Sequence, residues 1–261
     1  MSGRGRPPAR ASLKMGDATT PRFGLARVLS KAGLCSRTEA ARWIRAGRVR
    51  VQGSIVRDPE YPIQHGMQGV VVEGLEQDAA AISRRYLLLN KPRGLVTSAR
   101  DEQGRDTVYR CLDGANLPWL APVGRLDKAS EGLLLFTNDS QWAARVLDPD
   151  TGPDKTYHVQ IDRIPEPELL QSLEAGVRVE DEFLSARKVS LLRAGQRNAW
   201  LEVVLDEGRN RQIRRLLAAH DVQVMRLVRV AIGSLELGGL GKGQWRELTP
   251  VEQAALGVGP A

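Results

Sequence analysis

The string GRLDKASEGLLLFTND, residues 124–139, places a guanidinium and a carboxylate two residues apart in a loop that runs into an uninterrupted apolar segment. An acid at the mouth of a buried strand stands between core and solvent. There a rigid scaffold can present it as a base or nucleophile. Asp127 is the candidate, with Arg125 beside it. Spacing alone leaves two plainer readings open, a surface Arg-x-Asp pair and a helix-capping aspartate. Glu131 allows a paired-carboxylate reading of the glycosidase kind, one group acting as acid and the other as base or nucleophile. A second cluster, EGRNRQIRRL at residues 207–216, carries Arg209, Arg211, Arg214 and Arg215. On a helix, residues at (i, i+3) share a face and the others do not, so only part of the cluster can serve one site, and a solvated basic face is the plainer account. Tyr157 lies mid-strand in KTY, residues 155–157, and taken alone reads as core.

Cofactor and metal signals are missing from the sequence. No GxxxxGK[ST] or strand-borne GxGxxG occurs, so no nucleotide cofactor is expected. Cys35 and Cys111 form no CxxC, and His65, His158 and His220 form no HxxxH pair, so neither a disulfide framework nor a metal site is expected.

The elements that must position these residues follow from pattern. From Tyr86 onward YLLLN, GLVTS, GLLLFT, TYHVQI, VRVE, ARKVSLL, AWLEVVL and VMRLVRVAI read as strands. Helices are predicted over residues 141–147, 166–175 and 209–220. Strands in succession without a helix between each imply an α+β fold, a mixed, largely antiparallel sheet with flanking helices. Lys91-Pro92 reads as a turn shaping a pocket floor.

Upstream, Leu25, Val28 and Leu29 predict a short amphipathic helix ending at Gly33. Ser36 with Glu39 forms a capping box for a second helix closed by Gly47. Val49–Val51, a Gln52-Gly53 turn and Ile55-Val56 read as a hairpin. Arg37, Arg42, Arg45, Arg48 and Arg50 come from this small unit. Residues 1–22 hold little to bury and read as a disordered basic arm. Residues 73–85 read as a linker.

Charge is concentrated at this end. The 261-residue chain carries +7 overall, but residues 23–57 hold eight basic groups and one acidic, while residues 79–261 hold twenty-five and twenty-four. Arginine supplies 31 of the 38 basic residues, a bias that suits bidentate phosphate recognition. No run approaches the roughly 18 apolar residues of a membrane span, and the basic start lacks a signal peptide's apolar core, so the chain reads as cytoplasmic, soluble and monomeric.

SRTEAARWIRAGRVRVQG, residues 36–53, resembles the S4-like RNA-binding domain, with Gln52 where asparagine is common. KPRG (91–94), GRLDKASEGLLLFTND, KTY and EGRNRQIRRL fall in the order found in RNA pseudouridine synthases. The chain resembles the group that acts on ribosomal RNA, which comprises the A-type small-subunit enzymes with the B-, E- and F-type large-subunit enzymes, over residues 23 to about 250. The resemblance implies an S4-like domain over 23–78, a pseudouridine synthase catalytic domain over 79–252 and a C-terminal tail over 253–261. It implies that Asp127 is the catalytic aspartate, acting on a uridine flipped out of its helix. It implies that Arg214 pairs with that aspartate, Tyr157 stacks on the base, Leu227 lines the base pocket and Arg125 sits near the space the nucleotide leaves. Arg37, Arg42, Arg45, Arg48, Arg50, Arg211 and Arg215 are then RNA contacts, ribosomal RNA is the partner, and neither cofactor nor metal is required. An idle RNA-binding or ribosome-assembly factor on the same scaffold is the alternative. A glycoside hydrolase is disfavoured by the arginine-rich start and by an aromatic content of 5%.

Overall fold

The computed structural model describes residues 22–64, 67–75, 83–99 and 101–257; residues 1–21 of the expected arm and 76–82 of the expected linker lie outside these. In the N-terminal module β1 (Phe23–Gly24) leads into α1 (Leu25–Lys31) and α2 (Arg37–Arg45). Strands β2 (Val49–Val51), β3 (Ser54–Val56), β4 (Pro62–Ile63) and β5 (Val70–Val72) follow. Ser36 caps α2, its hydroxyl accepting from the Glu39 amide at 3.1 Å. Leu25, Leu29, Ala40, Ile44 and Val49 are fully buried, so the helix pair and the β3-β2-β5 sheet share one small core and leave Arg37, Arg42, Arg45 and Arg50 exposed.

The rest of the chain builds one nine-stranded sheet. Its strands are β6 (Tyr86–Lys91), β7 (Ala121–Val123), β8 (Glu131–Thr137), β9 (Lys155–Ile161), β12 (Lys188–Ala194), β13 (Ala199–Leu205), β14 (Val224–Ile232), β15 (Leu235–Glu236) and β16 (Trp245–Glu247). The order is β12-β13-β9-β14-β8-β6-β16, with β15 on β14 and β7 on β8. Within it β14 and β8 run parallel and the other pairs are antiparallel, as the sequence implies for a mixed sheet. A separate hairpin joins β10 (Val177–Val179) to β11 (Glu182–Leu184), and helices α3 (Ser140–Val146), α4 (Pro167–Ala175), α5 (Gln212–Ala218) and α6 (Pro250–Gly257) complete the unit.

Two apolar patterns give two kinds of strand. The continuous runs of β6 and β8 are buried on both faces: Leu88, Leu133 and Leu135 join Trp142, Val146 and Leu256 on one side, while Leu87, Leu89, Leu134 and Phe136 join Val108 and Leu120 on the other. β13 alternates instead, burying Ala199, Leu201, Val203 and Leu205 beneath α4 and α5 and leaving Trp200, Glu202 and Val204 less covered. Each fully buried leucine contributes about 1.5–3 kcal/mol, so β8 is a rigid post at the sheet's centre.

Four expectations are corrected. GLVTS is no strand; Val96 makes a single bridge to Thr107, because the segment divides its hydrogen bonds, Gly94 and Thr97 bonding to the loop over residues 124–130 and Val96 to Asp106 and Val108. The helix predicted over 209–220 begins only at Gln212, since Arg211 turns left-handed at φ +49. Residues 253–257, expected in a tail, belong to α6, where Leu256 is buried against Trp142 and the Trp142 indole donates to the Gln253 carbonyl at 2.9 Å. Arg84 and Arg85, read as linker, are fastened to the sheet unit: Arg84 pairs with Asp139 at 2.9 Å and the Arg85 amide donates to Asn138 at 2.8 Å.

Candidate active site

The loop between β7 and β8 carries Asp127 and is anchored from below. Lys91, at the end of β6, is fully buried, and its ammonium donates to the carbonyls of Ser130 (2.8 Å), Pro92 (3.1 Å) and Asp127 itself (3.2 Å). The Gly94 amide donates to the Lys128 carbonyl at 2.7 Å, and Thr97 brackets Leu126, its hydroxyl donating to the carbonyl at 2.7 Å and accepting from the amide at 3.3 Å. Thus residues 91–97 form the bed of the loop. Burial pushes the Lys91 ammonium down to about 8 against the pull of Glu131 and Asp127. Its three acceptors use all three of its donors.

The loop passes into β8 at Gly132, which touches β14. A Cβ there would stand 2.2 Å from the Arg229 carbonyl oxygen, and the glycine holds φ +100, so no other residue fits this crossing. Glycine therefore lets the parallel β8–β14 pair bring the Asp127 loop and the Leu227–Arg229 stretch together.

They meet at a cleft of about 730 Å³, within the roughly 300–1,000 Å³ of small-molecule sites. Arg125, Asp127, Tyr157, Arg211 and Leu227 all line it, so the structure brings together five of the residues singled out from sequence. The Asp127 side chain is 29% exposed. Tyr157 and Leu227 project from β9 and β14 on the same sheet face, Leu227 buried in the α4–α5 core and Tyr157 partly buried against it.

Arginine placement differs from expectation. Arg211, not Arg214, makes the ion pair with Asp127, its Nη1 standing 3.4 Å from Oδ2 with the guanidinium 51% exposed. Arg214 lies under the loop, donating to the Ala129 carbonyl and the Val224 carbonyl at 3.3 Å each, and its buried Nε has no partner among the described residues. Burial, then the Arg211 charge, push the Arg214 guanidinium below its ordinary range, while Asp127 opposes both. The cause is the left-handed turn at Arg211, which rotates that side chain toward the cleft, while Arg214, one turn into α5, faces the loop backbone. Arg215 points away and is held by Glu182 and, at 3.6 Å, Glu180.

Glu131 is no partner carboxylate for Asp127. It is buried and gripped by Arg226 at 2.7 Å and Lys242 at 2.8 Å. Burial acts to raise its carboxyl, but those hydrogen bonds outweigh it and hold the group below the usual range. It does not line the Asp127 cleft.

Sequence reasoning passes over three cations of the site. It gives Lys91 a turn but no role, and it does not single out Lys155 and Arg229, both of which line the cleft. A signal exists all the same. Lys155 precedes Tyr157 by two residues and Arg229 follows Leu227 by two, and in a strand that spacing puts side chains on one face.

Of the N-terminal arginines, Arg37 and Arg42 pair with Glu60 and Glu39 at 3.0 Å each, and Arg48 donates to the Glu73 carbonyl and lies over the Trp43 ring. Arg45 and Arg50 are exposed and make no ion pair among the described residues. Among the described residues no group of three or more His, Cys, Asp or Glu side chains could hold a metal ion, and no helix is long and apolar enough to cross a membrane.

Residues 85–219 match the family described as RNA pseudouridylate synthase, and residues 23–68 match the S4 domain. Ribosomal large subunit pseudouridine synthase B of Bacillus subtilis (strain 168) is 37% identical over 235 residues, covering 89% of this chain and 94% of that protein. An uncharacterized RNA pseudouridine synthase of Aquifex aeolicus (strain VF5) is 35% identical over 232 residues, covering 88% and 92%. A crystal structure of a pseudouridylate synthase superposes with a TM-score of 0.62 at 28% identity, covering 90% of this chain and 99% of that one.

Proposed function

Because the chain belongs to the RNA pseudouridylate synthase family, with an S4 domain ahead of the synthase unit, we propose that it converts a uridine of ribosomal RNA to pseudouridine, with Asp127 as the catalytic aspartate. The nucleotide leaves its helix to reach the cleft, because the N1–C1′ bond and C5 are inaccessible within a stacked duplex. The observation that carries this reading is the placement of the Asp127 carboxylate in a cleft walled by Tyr157 and Leu227, on a loop whose backbone is fastened by hydrogen bonds from Lys91, Gly94 and Thr97.

Each group then has a task. Tyr157 and Leu227 offer an aromatic and an aliphatic surface between which a base can lie. Asp127 acts at the sugar, either by attack on C1′ or by removal of a sugar proton; both need the carboxylate ionised and aimed. Arg211 faces it from the solvent side, and Arg214 fixes the loop from beneath through the Ala129 carbonyl. Arg125 and Arg211, exposed at the rim, suit the phosphates flanking the extruded nucleotide. The S4 domain supplies further phosphate contacts through Arg37, Arg42, Arg45 and Arg50, and so affinity rather than chemistry.

The relative from Bacillus subtilis is named for the large ribosomal subunit, and large-subunit RNA is accordingly the substrate to test first. Pseudouridine mapped across ribosomal RNA from cells with and without the gene should lose one position in the deletion. An unchanged map would overturn the ribosomal target.

A further inference from the structure

The floor of the cleft holds two cations to which the proposed reaction has so far given no task. Lys155 and Arg229 line it together with Tyr157 and Leu227. Tyr157 and Arg229 are direct partners in the β9–β14 pairing, and Lys155 lies two residues along β9 on the same face. Arg229 is 6% exposed; its Nε donates to the Leu133 carbonyl at 2.7 Å, and its Nη2 is buried with no hydrogen-bond partner among the described residues. The Lys155 ammonium makes no hydrogen bond or ion pair among the described residues. Burial, then the charge of Arg229, hold it below the usual lysine range, with weaker opposition from Asp154 and Asp206. Two neighbouring cations at a cleft, each with donors that no hydrogen-bond acceptor among the described residues takes up, are costly unless something negative arrives.

We infer that Lys155 and Arg229 form an electrostatic wall that takes up the negative charge appearing on the uracil ring when its bond to the sugar breaks. Whichever route Asp127 follows, the N1–C1′ bond breaks with its electron pair passing to the base, which becomes an anion with charge on its two carbonyl oxygens. The base turns, C5 returns an electron pair to C1′, the C5 proton is lost and N1 takes one up, so the step is a balanced isomerisation. Tyr157 and Leu227 cover the faces of the ring, which leaves its edge to the cations beside them. Preorganised donors in a water-poor site act most strongly on charge that develops only during reaction. A phosphate is the poorer fit, since it would have to be drawn below the exposed Arg125 and Arg211, which already serve the rim.

This inference rests on the isomerase reading. Its test is single-turnover consumption of the N1-linked nucleoside at saturating RNA, with full-length protein and matched RNA fragments carrying uridine or 5-fluorouridine at the target. Fluorine at C5 stabilises the departing base anion, so an enzyme that has lost part of its wall should gain most from it. Lys155→Met should lose about 10²-fold to 10³-fold on uridine, the usual effect of removing one such donor, and much less on 5-fluorouridine, with RNA affinity and its salt dependence unchanged. Lys155→Arg should recover part of the loss. Arg229→Lys, which keeps the charge at the more buried position, should retain more activity than Arg229→Met at equal melting temperature. Equal losses of Lys155→Met on both RNAs would overturn the wall, as would weaker RNA binding with a shallower salt slope and an intact rate, the signature of a phosphate clamp. Turnover by Asp127→Asn would instead overturn the isomerase reading itself.

Discussion

The Asp127 loop and the arginine face of the S4 domain are both built around charge, yet they are held in opposite ways. The loop is fixed by buried donors: Lys91 spends all three on carbonyls, and Gly94 and Thr97 fasten the flanking residues. The S4 arginines are exposed; Arg37 and Arg42 lean on surface glutamates, and Arg45 and Arg50 have no ionic partner among the described residues. Chemistry at one carbon needs a carboxylate placed to a fraction of an ångström, which hydrogen bonds to a rigid strand provide. Attraction of a polyanion needs only positive potential, which mobile arginines supply without precise placement. Mutations in the two regions should therefore fail differently, one in rate and the other in affinity.

The sharpest break of that contrast is Lys91→Met. It strips three carbonyls of their donor and should lower kcat by about 10²-fold or more through misplacement of Asp127, with RNA affinity nearly unchanged. A loss confined to affinity would erase the distinction. The same lysine gives a pH signature. Its folded value of about 8 lies below the ordinary 10.5, so its charge costs stability below pH 8, and that cost is relieved as pH rises from 8 to 10.5. The neutral amine, however, has only two donors for three carbonyls. Activity should fall as pH passes about 8 while this group's contribution to melting temperature rises; parallel decline of both, traced to Lys91 by comparison with Lys91→Met, would contradict the assignment.

Smaller effects separate the two arginines beside Asp127. Arg214 makes charge-assisted bonds to the loop backbone beneath the cleft, so Arg214→Ala should cost about a hundredfold in kcat. Arg211 makes an exposed ion pair worth at most about 1 kcal/mol, so Arg211→Ala should cost kcat no more than about fivefold and act partly on KM. The reverse order would make Arg211 the principal partner of the aspartate. Smallest in rate is the S4 domain. Charge reversal at Arg45 and Arg50 should leave kcat unchanged and lower the log–log salt slope of RNA binding by about 0.7–0.9 for each phosphate no longer neutralised. An unchanged slope would remove these residues from the interface.

Much of this contrast is legible in the sequence because it follows from short-range pattern. GLLLFT without alternation signals a strand covered on both faces, and AWLEVVL with alternation signals one covered on one face; β8 and β13 are so buried. The capping box at Ser36 places α2 to within a residue. What stays hidden depends on distant partners. GLVTS has a strand's composition, but its hydrogen-bonding groups are divided between residues 124–130, which engage Gly94 and Thr97, and residues 106–108, which engage Val96. The Arg211 backbone turns left-handed although no glycine marks the place. Gln212 is what anchors the start of α5, donating to Ser185 and Glu207 and accepting from the Arg209 amide. Past that turn Arg211 stands beside Asp127, where Arg214 is expected, and Arg214 bonds to the loop backbone instead. β16 and α6 are short, and they exist because β6 and the Trp142 side of the sheet offer an edge and an apolar face to cover.

The central claim is that one carboxylate, held by a rigid loop, performs the isomerisation. Its most direct test is pseudouridine formed in a single turnover by Asp127→Asn on a large-subunit ribosomal RNA fragment that the wild-type protein modifies. The amide keeps the size and can still accept a hydrogen bond but removes the charge, so RNA affinity and melting temperature should match wild type while no pseudouridine forms. Pseudouridine formation at a rate near wild type would contradict the account and move the chemistry to another residue of the cleft.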